Sequence, residues 1–287
     1  MPGLSEEETA AAFLAACRAE LTALKPGNVH VHAGGHGMEA HQFEASAEAA
    51  APSIAAPDLK LGERVLRGVE ATFDAAGCNT NLGILLLSAP LAVAAQTELP
   101  GSLRDRVRHV LAHLDASDAS NVFEAIRRAS PGGLGSAPDQ DVAAPPSMGL
   151  REAMALAADR DRIACAYITN LEEIFAFGLP TLERFSARTE KRAFAITALH
   201  MAFLAERPDS HITRKFGAEA AKSVCQQARA LQDLWDPVAG PQSFQGLLAF
   251  DRDLKQRGFN PGTTADLVVA TLFAEAIGNR MSPSGSW

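Results

Sequence analysis

The sequence predicts an all-α protein, a single compact domain of about ten or more helices, and three observations carry that expectation. Apolar residues recur at helical three-and-four spacing, strand-like alternation is missing, and Ala, Leu, Glu, Arg and Gln fill the periodic segments. A lone Tyr and few β-branched clusters leave little material for a sheet. The clearest case is "KRAFAITALHMAFLAE", where Phe194, Thr197, Ala198, Met201 and Leu204 line one stripe.

Taken in order, helices are expected over 5–23, 61–76, 82–96, 102–114, 118–129, 150–177, 191–206, 217–234, 243–257 and 264–278. Ser5 to Glu8 reads as a capping box for the first, and Thr263 to Asp266 as another for the last, with Asp in place of Glu. The first helix ends near Leu24, because Pro26 and Gly27 do not continue it. Two Pro- or Gly-rich stretches interrupt the pattern, 51–62 and 130–149. The second is too long for an ordinary connection and reads as a flexible loop within one domain spanning 1–287.

The chain of 287 residues is 47% apolar, enough for a sizeable core. Its net charge is -8 and its basic residues are scattered, which excludes the footprint of a nucleic-acid binder. A small, phosphate-bearing partner must then be held by a local site against the overall charge. Cys17, Cys78, Cys165 and Cys225 are far apart and form no CxxC pair, so they read as reduced thiols of a cytoplasmic protein. The longest uncharged apolar run, Leu82 to Ala95, is shorter than the roughly 20 residues that span a bilayer, and no membrane role is expected. A homodimer stays open, since no interface signature is present.

Polar residues gather where helices begin. In "GCNTNLGILLLSAPLAVAA" the most apolar run of the chain opens with Asn79, Thr80, Asn81 and Gly83. A helix start offers unpaired N–H groups and a partial positive charge, so such a segment can meet a phosphate; Asn and Thr also cap helices for local reasons. Lys25 and Asn28 flank the turn after the first helix. His30, His32, His36 and His41 follow; without a nearby thiolate, zinc is not expected. Gly133 belongs to a glycine-rich stretch beside Asp139 and Asp141, a pair able to hold Mg²⁺. In "RPDSHITRKFG", Asp209 or Ser210 caps a helix that carries Arg214 and Lys215, an Arg fork and a Lys point charge for phosphate oxygens. Asp266 reads equally as cap, metal ligand or general base.

Five stretches in this order, "KPGNV" (25–29), "GGHGM" (34–38), "GCNTNLG" (77–83), "PDSHITRKFG" (208–217) and "NPGTTADLVVATLF" (260–273), resemble the triphosphoribosyl-dephospho-CoA synthases. The resemblance implies an all-helical transferase of cofactor biosynthesis. There, a ribose 2'-hydroxyl of dephospho-CoA attacks C1' of ATP and adenine leaves, with the triphosphate retained. It implies catalytic roles for Asp209, Asp266 and Lys215. It implies substrate contacts at Lys25, Pro26, Gly27, Asn28, His36, Asn79, Thr80, Asn81, Gly83, Gly133 and Arg214, with Mg²⁺ at Asp139 and Asp141.

The chain departs from the better-known synthases at three points. They continue Asn-Thr with His-Lys-Gly, where this chain has Asn81-Leu82-Gly83; they carry an acid where it has Gly37; and an Arg/Glu-containing stretch is absent from the central loop. The pattern is similar to that of a divergent branch in organisms with tetrahydromethanopterin-type one-carbon carriers. That implies an alternative acceptor, a methanopterin- or methanofuran-type precursor. Two readings from other classes are a non-catalytic nucleotide-binding protein and a zinc-dependent hydrolase built on the histidines. The clustered charges Asp209, Lys215 and Asp266 speak against the former, since such charges are costly unless used or paired.

Overall fold

Ser5 opens the first helix as its sequence predicts: its Oγ accepts from Glu8 N at 3.2 Å and the Glu8 carboxylate accepts from Ser5 N at 2.9 Å. This reciprocal cap starts α1 (Glu6–Thr22) in a computed structural model that describes residues 3–131, 144, 146–235 and 241–281. Among the described residues the chain is built from helices, with isolated bridges at 30–38 and no strand. Gly133, Asp139 and Asp141, with most of the expected loop, lie outside the described residues.

α2 (Ala40–Ala55) was not expected, because its alanine-rich stretch has a weak pattern and contains Pro52. A proline inside a helix unpairs the carbonyl four residues earlier; here that residue is Glu48, on the solvent side, where water can take the bond. The connection expected over 51–62 therefore shrinks to the few residues before α3 (Leu61–Ala76). That helix ends at Gly77, whose φ of 71° is left-handed. α4 (Leu82–Gln96), α5 (Leu103–Ala112) and α6 (Ala116–Ala129) follow, the last capped by Asp115 through Ser117 N and Asp118 N.

The single helix expected over 150–177 is broken into pieces. α7 (Leu150–Ala155) and α8 (Arg162–Ile168) are separated by Asp161, which caps α8 at Ile163 N (2.9 Å) and Ala164 N (3.1 Å). Asn170 and Leu171 then adopt left-handed φ values of 56° and 57°, which stops α8 before a π-helical turn at Glu173–Gly178 runs into α9 (Leu179–Ser186). α10 (Arg192–Glu206), α11 (Ser210–Phe216), α12 (Ala218–Ala230), α13 (Pro241–Gln256) and α14 (Gly262–Met281) complete the chain.

α4, α10 and α14 are apolar on nearly all sides, which is the pattern of helices enclosed by others. α14 packs on α1, α4 and α10, and Phe273 meets Phe13 of α1 edge to face at 5.8 Å. Pro90 lies inside α4 and cannot bond Leu86 O. The buried Tyr167 hydroxyl of α8 donates to that carbonyl instead, at 2.9 Å. A long-range side chain thus repairs a local defect in the central helix.

His200 of α10 is fully buried beneath the turn after α1, with Nε2 3.4 Å from Pro26 O. Burial, and the charge of Lys25, hold its imidazole neutral and push its pKa down to about 3. The unfolded chain binds this proton near pH 6.5, so folding is favoured by His200 above that pH and the contribution is lost as pH falls toward 3. His200→Gln is therefore expected to flatten the acid side of the stability profile. Urea midpoints measured at steps between pH 7 and 4 check this: an unchanged slope in the variant overturns it.

Candidate active site

The helix starts converge on one cavity of about 660 Å³, within the range that encloses a nucleotide-sized ligand. One side is polar, built from Asn28, His36, the 79–83 segment, His211, Arg214, Lys215 and Asp266. The other is apolar, with Phe123 and Ile126 of α6, Met154 and Leu156 of α7 and its end, and Ile163 of α8.

The polar opening of α4 does two jobs at once. Asn79 Oδ1 accepts from Leu82 N at 3.2 Å and so caps the helix, while Asn81, the residue at the cap position, turns inward. Asn81 Oδ1 accepts from Thr72 Oγ1 (3.0 Å) of α3, and Thr80 Oγ1 donates to Ser46 Oγ (2.6 Å) of α2. The turn is therefore fixed to two neighbouring helices with its N-terminal end facing the cavity, where the helix dipole favours an anion.

Gly83 is required by what lies against it. A Cβ there would come within 2.0 Å of Asp266 Oδ2 and 2.9 Å of Ile163 Cδ1. The carboxyl of Asp266 and the apolar wall thus meet over one bare Cα. Gly83→Ala is expected to displace Asp266 and lower turnover by one to two orders of magnitude, while substrate binding changes less. Steady-state kinetics check this, and a wild-type kcat would show that the carboxyl position is immaterial.

Asp266 accepts no hydrogen bond from any described residue. Burial, reinforced by the carboxylates of Asp209 and Glu20, raises its pKa well above the usual range, and Arg214 opposes the shift. The expectation that Thr263 to Asp266 forms a capping box is corrected, because α14 starts at Gly262 and places Asp266 a turn inside. The cap comes from another element. Asp209 Oδ2 accepts from Thr264 N and Thr264 Oγ1, both at 2.8 Å. Its Oδ1 accepts from His211 N (2.8 Å) and Ile212 N (3.1 Å) at the start of α11. The buried Asp209 carboxylate joins two helix starts and is not among the residues that line the cavity.

The turn after α1 is likewise tied to protein partners. Lys25 is fully buried, ion-paired with Glu20 and hydrogen-bonded to Asn28 Oδ1 at 3.4 Å. Its ammonium thus has protein partners, and Lys25 is not among the residues that line the cavity. Pro26 offers its carbonyl to His200, and Gly27, at a φ of 85°, donates to Asp251 Oδ1 at 2.9 Å. These residues brace the wall, and Asn28 reaches the cavity, donating to Asn260 Oδ1 at 2.8 Å.

The remaining basic side chains approach from α11 and the 30–38 loop. Arg214 is bound to Asp161 Oδ2 at 2.6 Å, Lys215 is exposed at the rim, and His36 bonds Gly27 O through Nε2 at 2.8 Å. His211 lines the cavity with Nε2 unpartnered, and burial, followed by the charges of Arg214 and Lys215, lowers its pKa to about 4 despite Asp209. His30 and His32 belong elsewhere: His30 contacts Asp251 at 3.4 Å, and His32 packs on Phe244. Among the described residues no group of three or more His, Cys, Asp or Glu could hold a metal ion.

Sequence reasoning missed Glu20, Asp161, His211 and Asn260, all cavity residues. Asp161 had a signal, an Asp just before the apolar run of α8. Glu20 had none, since an acid near a helix end ordinarily faces water.

The family model described as CitG, ATP:dephospho-CoA triphosphoribosyl transferase, matches residues 6–284. A crystal structure from Archaeoglobus fulgidus, titled as a triphosphoribosyl-dephospho-CoA synthase, is similar with a TM-score of 0.61. It is 24% identical over 80% of this chain and 96% of that chain, and the likeness speaks for the fold. The comparison with curated proteins gives no match. No helix among the described residues is long and apolar enough to cross a membrane. With nearly its whole length matched, the chain belongs to the ATP:dephospho-CoA triphosphoribosyl transferase family.

Proposed function

We propose that the 660 Å³ cavity is where the family's transfer takes place, and that Asp266 takes the proton of the attacking hydroxyl. The single observation behind this is the unpaired Asp266 carboxyl against Gly83, beside a helix start and within reach of the cations of α11. A carboxylate whose pKa is raised is a better base than one in water. The start of α4, His36, Arg214 and Lys215 would hold the triphosphate, which the net charge of the protein otherwise repels. The apolar wall of α6–α8 would take an uncharged portion of the substrates.

The hydroxyl oxygen would then form a bond to C1' of the ATP ribose as the bond from C1' to adenine breaks, through a ribosyl centre of cationic character. Holding the two anionic substrates in line is the main task of such a site. Mg²⁺ would enter as the counter-ion of ATP, since it keeps waters and prefers phosphate oxygens. A second version keeps the donor and changes the acceptor to a one-carbon carrier precursor. It is favoured by one observation: Leu82, where the better-known synthases carry a cation, is buried in the cavity wall.

Chromatographic detection of adenine after incubation with ATP and Mg²⁺ separates the two. Release that requires dephospho-CoA is the expected outcome. No release with that acceptor, and release with a one-carbon carrier precursor, would transfer the proposal to the second version.

A further inference from the structure

We propose that Glu20, held by Lys25, is the proton donor to the departing adenine, so that the cavity works with two carboxyls of opposite role. The inference rests on the transferase reading above, and names a residue that the reading does not use. Glu20 is only 5% exposed, yet it lines the cavity. Lys25 holds one of its oxygens, Oε1. Lys25 is fully buried, and among the described residues its other hydrogen bond is to Asn28 Oδ1. A buried ion pair gives little net stability, so its presence in the wall of a reaction cavity calls for another use.

The surroundings favour a transferable proton. Burial raises Glu20 above the usual carboxylate range and lowers Lys25 below the usual amine range. The other charged groups about the pair are Asp266 of α14, Lys255 of α13 and, across a small void of about 20 Å³, Glu44 of α2. Cys17 and Asn81 also line that void, which is large enough for about one water. The pair is otherwise enclosed, so its proton is exchanged with the cavity rather than with bulk solvent.

The proton balance closes within the cavity. Asp266 takes the proton of the acceptor hydroxyl as oxygen bonds to C1'. The bond from C1' to the adenine nitrogen breaks with its electron pair going to the base, and the Glu20–Lys25 pair supplies the proton that makes neutral adenine. The proton on Asp266 then returns to the pair. Net, the hydroxyl proton ends on adenine, and no other reactant is needed. The Coulombic coupling of Glu20 and Asp266 fits this exchange, since the charge of Glu20 raises the proton affinity of Asp266.

The test compares ATP with 8-aza-ATP, a near-isosteric donor whose base is a better leaving group and depends less on protonation. Glu20→Gln is expected to lower kcat with ATP by a hundredfold or more, leave KM for ATP within about threefold, and lose at most about tenfold with 8-aza-ATP. Asp266→Asn is expected to lose both donors alike. If Glu20→Gln does not fold, as its thermal transition would reveal, Glu20→Asp serves with the same comparison, because it keeps a carboxyl but withdraws it. Equal losses with the two donors, or a kcat near wild type with ATP, would overturn the role of Glu20 while leaving the transferase reading intact. A wild-type protein that releases no adenine with any acceptor would overturn both.

Discussion

Asp266→Asn is expected to abolish turnover, by about three orders of magnitude, while making the protein more stable at neutral pH. Both effects come from one property. The half-buried carboxyl lies against Gly83 without a hydrogen-bond partner among the described residues, and desolvation with the charges of Asp209 and Glu20 opposes its ionisation. Its pKa in the folded protein lies well above the unfolded value, so the folded state gains from this group below about pH 3.8 and loses that gain as pH rises through the folded pKa. The amide cannot ionise and escapes the penalty. The difference in unfolding free energy between variant and wild type should therefore be largest at neutral pH and shrink on acidification. Denaturant titrations at several pH values, alongside adenine release, check both halves. A variant that is inactive but destabilised at neutral pH would mean that Asp266 is a structural partner rather than a base kept under strain for function.

Asp209→Ala is expected to give the opposite combination, with loss of stability leading and loss of activity following. The carboxylate accepts four hydrogen bonds from the starts of α11 and α14, and all four donors lie in the same small region. Its removal leaves these donors without their acceptor, a change in the roughly 3–5 kcal/mol class of broken buried charge networks. α11 carries His211, Arg214 and Lys215, and α14 carries Asp266, so both sides of the polar wall would loosen together. Equilibrium unfolding in urea, with KM for ATP measured on the folded fraction, checks this. A fully stable but inactive Asp209→Ala would restore the direct catalytic role expected from the sequence.

The contrast between these two aspartates marks where the sequence stops being informative. The helical class was legible from the apolar spacing, but the single stripe read at α10 proved too narrow, because α10, like α4 and α14, is enclosed on nearly all sides. The caps at Ser5 and Asp209 were legible as well, since capping is set by residues two or three positions apart. α2 was missed because a late proline facing water costs little, and the 150–177 segment was overextended because nothing local announces the left-handed pair Asn170 and Leu171.

By itself, the sequence determined an all-helical chain, the family it belongs to and the polar helix starts from which its cavity is made. Only the tertiary structure decided which polar groups do what. Asp209 and Asp266 are equally acidic in isolation; one spends its lone pairs on backbone N–H groups of two helices, and the other is left unpaired beside a glycine. Lys25 reads as a free cation in the sequence, and only the fold brings the buried Glu20 carboxylate against it. The physical reason is that hydrogen-bond satisfaction and burial are properties of three-dimensional neighbours, while periodicity and capping are properties of the chain.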